Sequence, residues 1–260
     1  MIKNGKHPKA VRVEFLRGKS QYKADPRFNV RRPAIKKHAF ASRETIIVGG
    51  AFNTPQIRKL SGIGPRSELE KHKIPVIHEL PGVGTNLQDN YEHGVVGQSA
   101  EIFSPFVKGL LGSSGDQLLA QWVEGHGPYK SGAVGAAVLD KSSVARGDRD
   151  LFLIGVFGQF TGFYPGWTRP LFSTPSSLTW DILKVHPRNA AGTVKLRSSN
   201  PQDTPDINFN FYHEASKDGK NDPEHDLTAM ADAVQLAHRM FAGVKGPLSP
   251  ITEITEMVPL

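Results

Sequence analysis

The segment Glu44-Thr45-Ile46-Ile47-Val48 runs straight into Gly49-Gly50 and then into a helix-forming stretch that reaches Gly62. No other stretch of the chain restricts the fold as much. Glu44 to Val48 is β-branched and apolar, the pattern of one buried parallel strand. Asn53 or Thr54 is placed to cap a helix with Pro55 at its first position, and Gly62 is placed to end it. Strand, glycine turn and helix start in that order aim free backbone N–H groups and a positive dipole end at whatever lies above the sheet edge. A cofactor fits that geometry. An ordinary crossover unit whose glycines only permit tight packing fits it too.

The run Gly50-Ala51-Phe52-Asn53-Thr54-Pro55-Gln56-Ile57-Arg58-Lys59-Leu60-Ser61-Gly62-Ile63-Gly64 closely resembles the second signature of the glucose–methanol–choline family of flavin-dependent alcohol oxidoreductases. Downstream, Ser67 is placed to cap a short helix through Leu69-Glu70-Lys71-His72. Ile74-Pro75-Val76-Ile77 reads as an edge strand because its proline cannot donate to a central ladder. Leu80-Pro81-Gly82-Val83-Gly84-Thr85-Asn86-Leu87-Gln88-Asp89 also resembles the family, whose members carry a glycine-rich turn followed by Asn-Leu-Gln-Asp at this distance. Many of them place His after that Asp, where this chain has Asn90. The resemblance implies FAD as cofactor, bordered by Gly49, Gly50, Ala51, Asn53, Asn86 and Asp89. It implies hydride transfer to flavin from the CH–OH group of a small alcohol, by an oxidase or a dehydrogenase. Neither Gly82 and Gly84 nor Gly62 and Gly64 form a dinucleotide fingerprint, because the third glycine of G-x-G-x-x-G would fall at Leu87 and Ser67.

At 260 residues with 38% hydrophobic content, the chain can form one large domain or two modest ones. No window approaches the run of about 18 apolar residues a membrane helix requires, and Met1-Ile2-Lys3-Asn4-Gly5-Lys6 lacks the apolar core of a signal peptide. Zero cysteines exclude disulfides, thiolate metal sites and cysteine nucleophiles, and there is no N-x-[ST] sequon. The compartment stays open. The formal charge of +7, with Arg27, Arg31, Arg32, Lys36 and Lys37 close together, raises a nucleic-acid reading. Aromatic interleaving is limited to Phe28 and Phe40, so a solvated surface loop, and no nucleic-acid partner, is the expectation.

The expected fold class is α/β plus α+β, with two domains. Residues 1–93 form a partial, doubly wound FAD-binding domain with the second signature at 50–64, and residues 94–260 form a partial antiparallel-sheet substrate-binding domain. Ala10 to Leu16 alternates as a strand, the outgoing arm of a hairpin turning at Gly5 and preceded only by Met1 and Ile2. Gly109 to Gly115 and Gly125 to Tyr129 are turn-rich, so the middle of the chain reads as loops. Leu151 to Phe157 is a buried strand. Thr179 to Val185 and Thr193 to Arg197 read as an antiparallel pair about a turn at Pro187 to Gly192, and Asp206 to Tyr212 alternates as well. A helix starts with Asp222 as cap and Pro223 at its first position; Leu227, Met230, Ala231, Val234, Ala237 and Phe241 form its apolar face, and Gly243 ends it.

Alcohol oxidation by a flavin needs a base for the hydroxyl proton, and histidine suits that task near neutral pH. In the family the catalytic histidine lies beyond the substrate sheet, and no counterpart is found before Leu260, so no catalytic residue is assigned. His186-Pro187-Arg188-Asn189 reads as an exposed hairpin turn, and a structural hydrogen bond accounts for His93 as well as a role in the chemistry does. No histidine pair has the spacing of a zinc helix, and neither Ser61 nor Ser131 sits in G-x-S-x-G. The chain is therefore read as a central piece of a flavoprotein, expected neither to hold FAD tightly nor to oxidise alcohols alone. The alternative is a non-catalytic binding or scaffold descendant of the family. Gly50 and Asn86 are expected to border one open groove.

Overall fold

The computed structural model describes residues 8–110, 113–213, 222–246 and 249–256. The elements in chain order are β1 (Arg12–Arg17), β2 (Ile35–Phe40), α1 (Gly50–Leu60), β3 (Ile63–Gly64), α2 (Arg66–Lys71), β4 (His78–Glu79), β5 (Tyr91–Ser99) and α3 (Gln117–Val123). They continue with β6 (Val134–Asp140), β7 (Leu151–Phe157), α4 (Thr168–Leu171), β8 (Ser177–Lys184), β9 (Thr193–Lys195), β10 (Asp206–Asn208), α5 (Pro223–Ala242) and β11 (Ile251–Glu256). The chain divides into two compact units: Met1–Gln88 with Asn189–Asn221, and Asp89–Arg188 with Asp222–Leu260. The first boundary lies at 88/89 where the sequence suggested 93/94, and residues 189–221 return to the first unit.

In the first unit the leading expectation is corrected. Glu44 to Val48 forms no strand; Ile46 and Val48 are 73% and 85% exposed, and Thr45 Oγ1 is buried without a partner. A parallel strand exists only through neighbours that share its ladder, and among the described residues none lies alongside. The one parallel pairing described is the two-residue contact of β3 with β4, so the described residues do not form a doubly wound sheet. This contact also replaces the edge strand expected at Ile74 to Ile77. Ala10 to Leu16 finds its partner downstream: β1 pairs antiparallel with β2, Glu14 facing His38. The Gly5 turn and the arm at Met1 and Ile2 lie outside the described residues. Of the basic cluster, Arg27 forks onto Asp25, Arg32 donates to the Lys19 carbonyl and Lys36 pairs with Glu14.

Helix α1 starts at Gly50, ahead of the expected cap, with Gly49 as a cap that makes no side-chain bond and Pro55 inside the helix. Asn53 therefore lies inside the helix, where its Oδ1 accepts from the Tyr22 hydroxyl (3.1 Å). The helix stops where expected, and Gly62 takes φ +81° just beyond it. Ser67 does not cap α2; Pro65 holds that position. Asn189 folds the returning segment, donating to the carbonyls of Phe209 (3.2 Å) and Asn210 (3.0 Å) while accepting from Ala191 N–H (2.9 Å).

The second unit is a five-stranded antiparallel sheet in the order β11-β5-β8-β7-β6. Its core consists of Tyr91, Val95, Leu151, Leu153, Trp180 and Ile182 on one sheet face against Ala229, Met230, Ala233, Ala237 and Phe241 of α5. Period-two alternation puts these strand residues on that face together. A Cβ at Gly97 would lie 2.6 Å from the Phe241 ring, so only glycine lets α5 approach there. The expected pair of Thr179–Val185 with Thr193–Arg197 does not form. Strand β8 lies between β5 and β7, while β9 pairs with β10 in the first unit. The alternation from Asp206 to Tyr212 yields a strand only over Asp206–Asn208. Between β5 and β7 the expected loops contain α3, a short 3-10 turn at Pro128–Ser131 and β6; within Gly109 to Gly115, residues 111–112 lie outside the described set.

Helix α5 has its expected cap, with Asp222 accepting from His225 N–H. Its buried stripe is rotated: Leu227 is half exposed and Ala231 faces solvent, while His225, Asp226 and Ala229 are buried. Asp226 causes the rotation, because its carboxylate accepts from Arg188 N–H (3.0 and 2.9 Å) and lies 4.0 Å from the ammonium of the fully buried Lys184.

Candidate functional site

A cleft of about 760 Å³ lies wholly within the first unit. Its walls are α1, through Ala51, Thr54, Pro55 and Arg58, the turn from Gly82 to Gln88, and Val194 of β9. The first turn of α1 carries no acidic side chain and no side-chain cap, so its backbone N–H groups and positive dipole end stay unneutralised. Arg58 adds a cation and Asn86 an amide, while Leu80, Val83 and Leu87 supply apolar wall. Asn86 sits at φ +55°, a conformation asparagine tolerates better than most residues.

Of the six positions the sequence singled out, the structure brings Ala51 and Asn86 to this cleft. Gly49 and Gly50 stand just ahead of Ala51 and are not among its lining residues; Gly50, at φ +79°, has open space where a Cβ would be. Asn53 is turned to Tyr22, a structural tie. Asp89 belongs to the second unit, and its Oδ1 accepts from Asn90 N–H (2.9 Å).

The glycine turn divides its duties. Gly82 lines the cleft, and a Cβ there would meet nothing within 4 Å. Gly84 takes φ +82°, and a Cβ would collide with the Val194 carbonyl oxygen. Gly84→Ala is therefore expected to cost about 1–3 kcal/mol through backbone strain alone. Hydrogen exchange should show lost protection at Val194 N–H, which donates to the Gly84 carbonyl (2.8 Å).

Thr54, expected only as a helix cap, lines the cleft, and Arg58 and Lys59 carried no expected role. The signal was two adjacent cations inside the signature helix, of which Arg58 reaches the cleft and Lys59 is 1% exposed.

The second unit holds two further features. Glu92 and Asp181 occupy the sheet face opposite α5, because their neighbours Tyr91, Trp180 and Ile182 face it. Burial first, then the charge of Glu92, pushes the Asp181 carboxyl up to about 8, and burial likewise raises Glu92, with Asp89 adding repulsion. Asp181 Oδ1 has no hydrogen-bond partner. A separate pocket of about 500 Å³ has apolar and aromatic walls from Phe106, Tyr129, Trp167 and Phe172. His93 lies on β5 opposite Ile182, and His186 is exposed at φ +53°.

Solved structures of oxidases and of an FAD-dependent oxidoreductase from Chaetomium thermophilum share this fold. A variant of Aspergillus oryzae formate oxidase, described in terms of its FAD modification, superposes with a TM-score of 0.67 at 25% identity, over 82% of this chain and 39% of that one. A fungal aryl-alcohol oxidase shares the fold at a TM-score of 0.53 and 19% identity, over 86% of this chain and 42% of that one. The family model described as GMC oxidoreductase matches residues 1–92, and the chain belongs to the glucose–methanol–choline oxidoreductase family. Human mitochondrial choline dehydrogenase is 30% identical over 217 residues, 78% of this chain and 32% of that protein. Dehydrogenase xptC of Emericella nidulans is 57% identical over 51 residues, 20% of this chain and 8% of that protein. The chain thus spans about a third of the length of the choline dehydrogenase it matches. The family's cofactor is FAD. No helix among the described residues is long and apolar enough to cross a membrane, and among them no cluster of His, Asp and Glu could hold a metal ion.

Proposed function

We propose that this chain supplies one wall of the FAD site, together with a substrate-side sheet, in an oxidoreductase acting on the CH–OH group of a small alcohol. The observation that carries the reading is the meeting of Ala51, at the start of α1, with Asn86, from the Asn-Leu-Gln-Asp turn, in one cleft. Those residues come from the two motifs that resemble the family. The donor set fits the group: helix N–H groups and Arg58 suit phosphate oxygens, the Asn86 amide suits a ring or ribose oxygen, and Leu80, Val83 and Leu87 suit ring faces. When bound, FAD accepts the hydride that the alcohol carbon gives up. The residues of this chain orient the cofactor and shield one side of it from water. The choline dehydrogenase and aryl-alcohol oxidase matches support alcohol-type donors as the substrate class.

Titration of the purified chain with FAD, followed by flavin fluorescence, tests this. Weak but saturable binding is expected, reduced about five- to tenfold by Arg58→Ala and by Asn86→Ala, in line with losing about 1–1.4 kcal/mol per contact. Binding indifferent to both substitutions, or no saturable binding at all, would remove the cleft from cofactor support. It would favour the non-catalytic alternative.

A further inference from the structure

The cleft's three walls come from distant parts of the chain, and one buried cation touches the elements behind all of them. On α1, Arg58 lines the cleft, and its neighbour Lys59 is buried and is not among the lining residues. Its side chain is 2% exposed. Nζ donates to both Glu68 oxygens of α2 (2.9 and 2.8 Å) and to the Val194 carbonyl (2.7 Å). Glu68 Oε1 in turn accepts from Leu196 N–H (2.6 Å), and Val194 N–H donates to the Gly84 carbonyl (2.8 Å). The ammonium also lies where a Gly84 side chain would have to go.

We infer that Lys59, with Glu68, is a positioning residue for the cofactor cleft, fixing the distance between the start of α1 and the Gly82–Gln88 turn through Val194. This rests on the reading of the cleft as a flavin site. The physical case is that Lys59 has its three donors satisfied by three acceptors, and a buried ammonium held in that way sets position more strictly than apolar packing would. An apolar residue there would leave the partly buried Glu68 carboxylate with only Leu196 N–H and the Val194 carbonyl without the ammonium. A side chain that served stability alone would need only the Glu68 pair; the bond to Val194 is the one that reaches the cleft wall.

The test compares Lys59→Met with the double variant Lys59→Met/Glu68→Gln, in which no unpaired charge remains. The double variant is expected to regain most of the thermal stability lost by the single one. Both are expected to keep Val194 N–H exchanging at least tenfold faster than in the unaltered chain, with amides of β7 and β8 unchanged, and to bind FAD at least tenfold more weakly. If the double variant recovers Val194 protection and FAD affinity along with stability, Lys59 is only structural and the proposal fails. If the unaltered chain itself shows no saturable FAD binding, the flavin reading fails, and the Val194 exchange still decides whether Lys59 holds the cleft wall.

Discussion

Replacing Lys184 by Met is expected to lower the stability of the second unit by about 3–5 kcal/mol, the range for stripping a buried ion pair of one partner. Lys184 is fully buried at the end of β8. Its ammonium lies 3.4 Å from Asp150 Oδ2 and 4.0 Å from Asp226 Oδ1, and it donates to the carbonyls of Val185 (2.7 Å) and His186 (3.3 Å). Burial alone would raise the Asp150 carboxyl, but hydrogen bonds from Ser142 N–H and Oγ together with the Lys184 charge hold it below the ordinary range. Without Lys184 the buried carboxylates of Asp150 and Asp226 lose the ammonium they share. Trp122, Trp167 and Trp180 all belong to the second unit, so tryptophan fluorescence in urea reads this unit by itself. Adding Asp226→Asn to Lys184→Met should recover part of the loss. An unchanged urea midpoint in the single variant would show that the ammonium is dispensable.

The second large effect is a pH dependence centred on Asp181. An aspartate in the unfolded chain titrates near 3.9, whereas in the folded unit burial and Glu92 push Asp181 up to about 8. Between those values the folded state holds a proton that the unfolded state has released. The stability from this group is therefore complete below about pH 4 and is lost as pH rises through about 8. Asp181→Asn keeps a neutral side chain and removes that loss. Relative to the unaltered chain, the variant should gain about 2–4 kcal/mol between pH 5 and pH 8, at about 1.4 kcal/mol for each pH unit in which one proton separates the two states. Urea midpoints at pH 5, 6.5 and 8, followed by the same tryptophans, give the measurement; a difference constant across the three would mean that Asp181 is ionised in the folded unit. Glu92, itself raised by burial and by Asp89, acts in the same direction, which is why the difference between the two proteins is the quantity to read.

Local chemistry was legible wherever it depends on near neighbours in sequence. The Asp222 cap with Pro223 after it, the end of α1 at Leu60 ahead of Gly62, and the Leu151 to Phe157 strand all follow from side chains and φ preferences within a few residues. The buried stripe of α5 was misjudged because hydropathy ranks Leu227 above Asp226, while the tertiary structure supplies Asp226 with Arg188 N–H and Lys184. Lys184 itself was invisible for the same reason: it continues the alternation of Trp180 and Ile182 on the core face, and only its partners make burial of a cation tolerable.

The amino-acid sequence alone identifies the family, through two motifs in which Gly50, Gly62, Gly84 and Asn86 take positive φ. It also determined that Ala51 and Asn86 belonged among the positions to examine. Three-dimensional packing brings those two into one cleft, returns Val194 from far along the chain to complete the wall, and sets Lys59 behind it. It also decided that Glu44 to Val48, a strand by composition, forms none among the described residues. The physical reason is common to all four: cleft walls, buried charges and parallel ladders are pairings between segments far apart in sequence, and side-chain pattern within one segment carries no record of which partner will lie beside it.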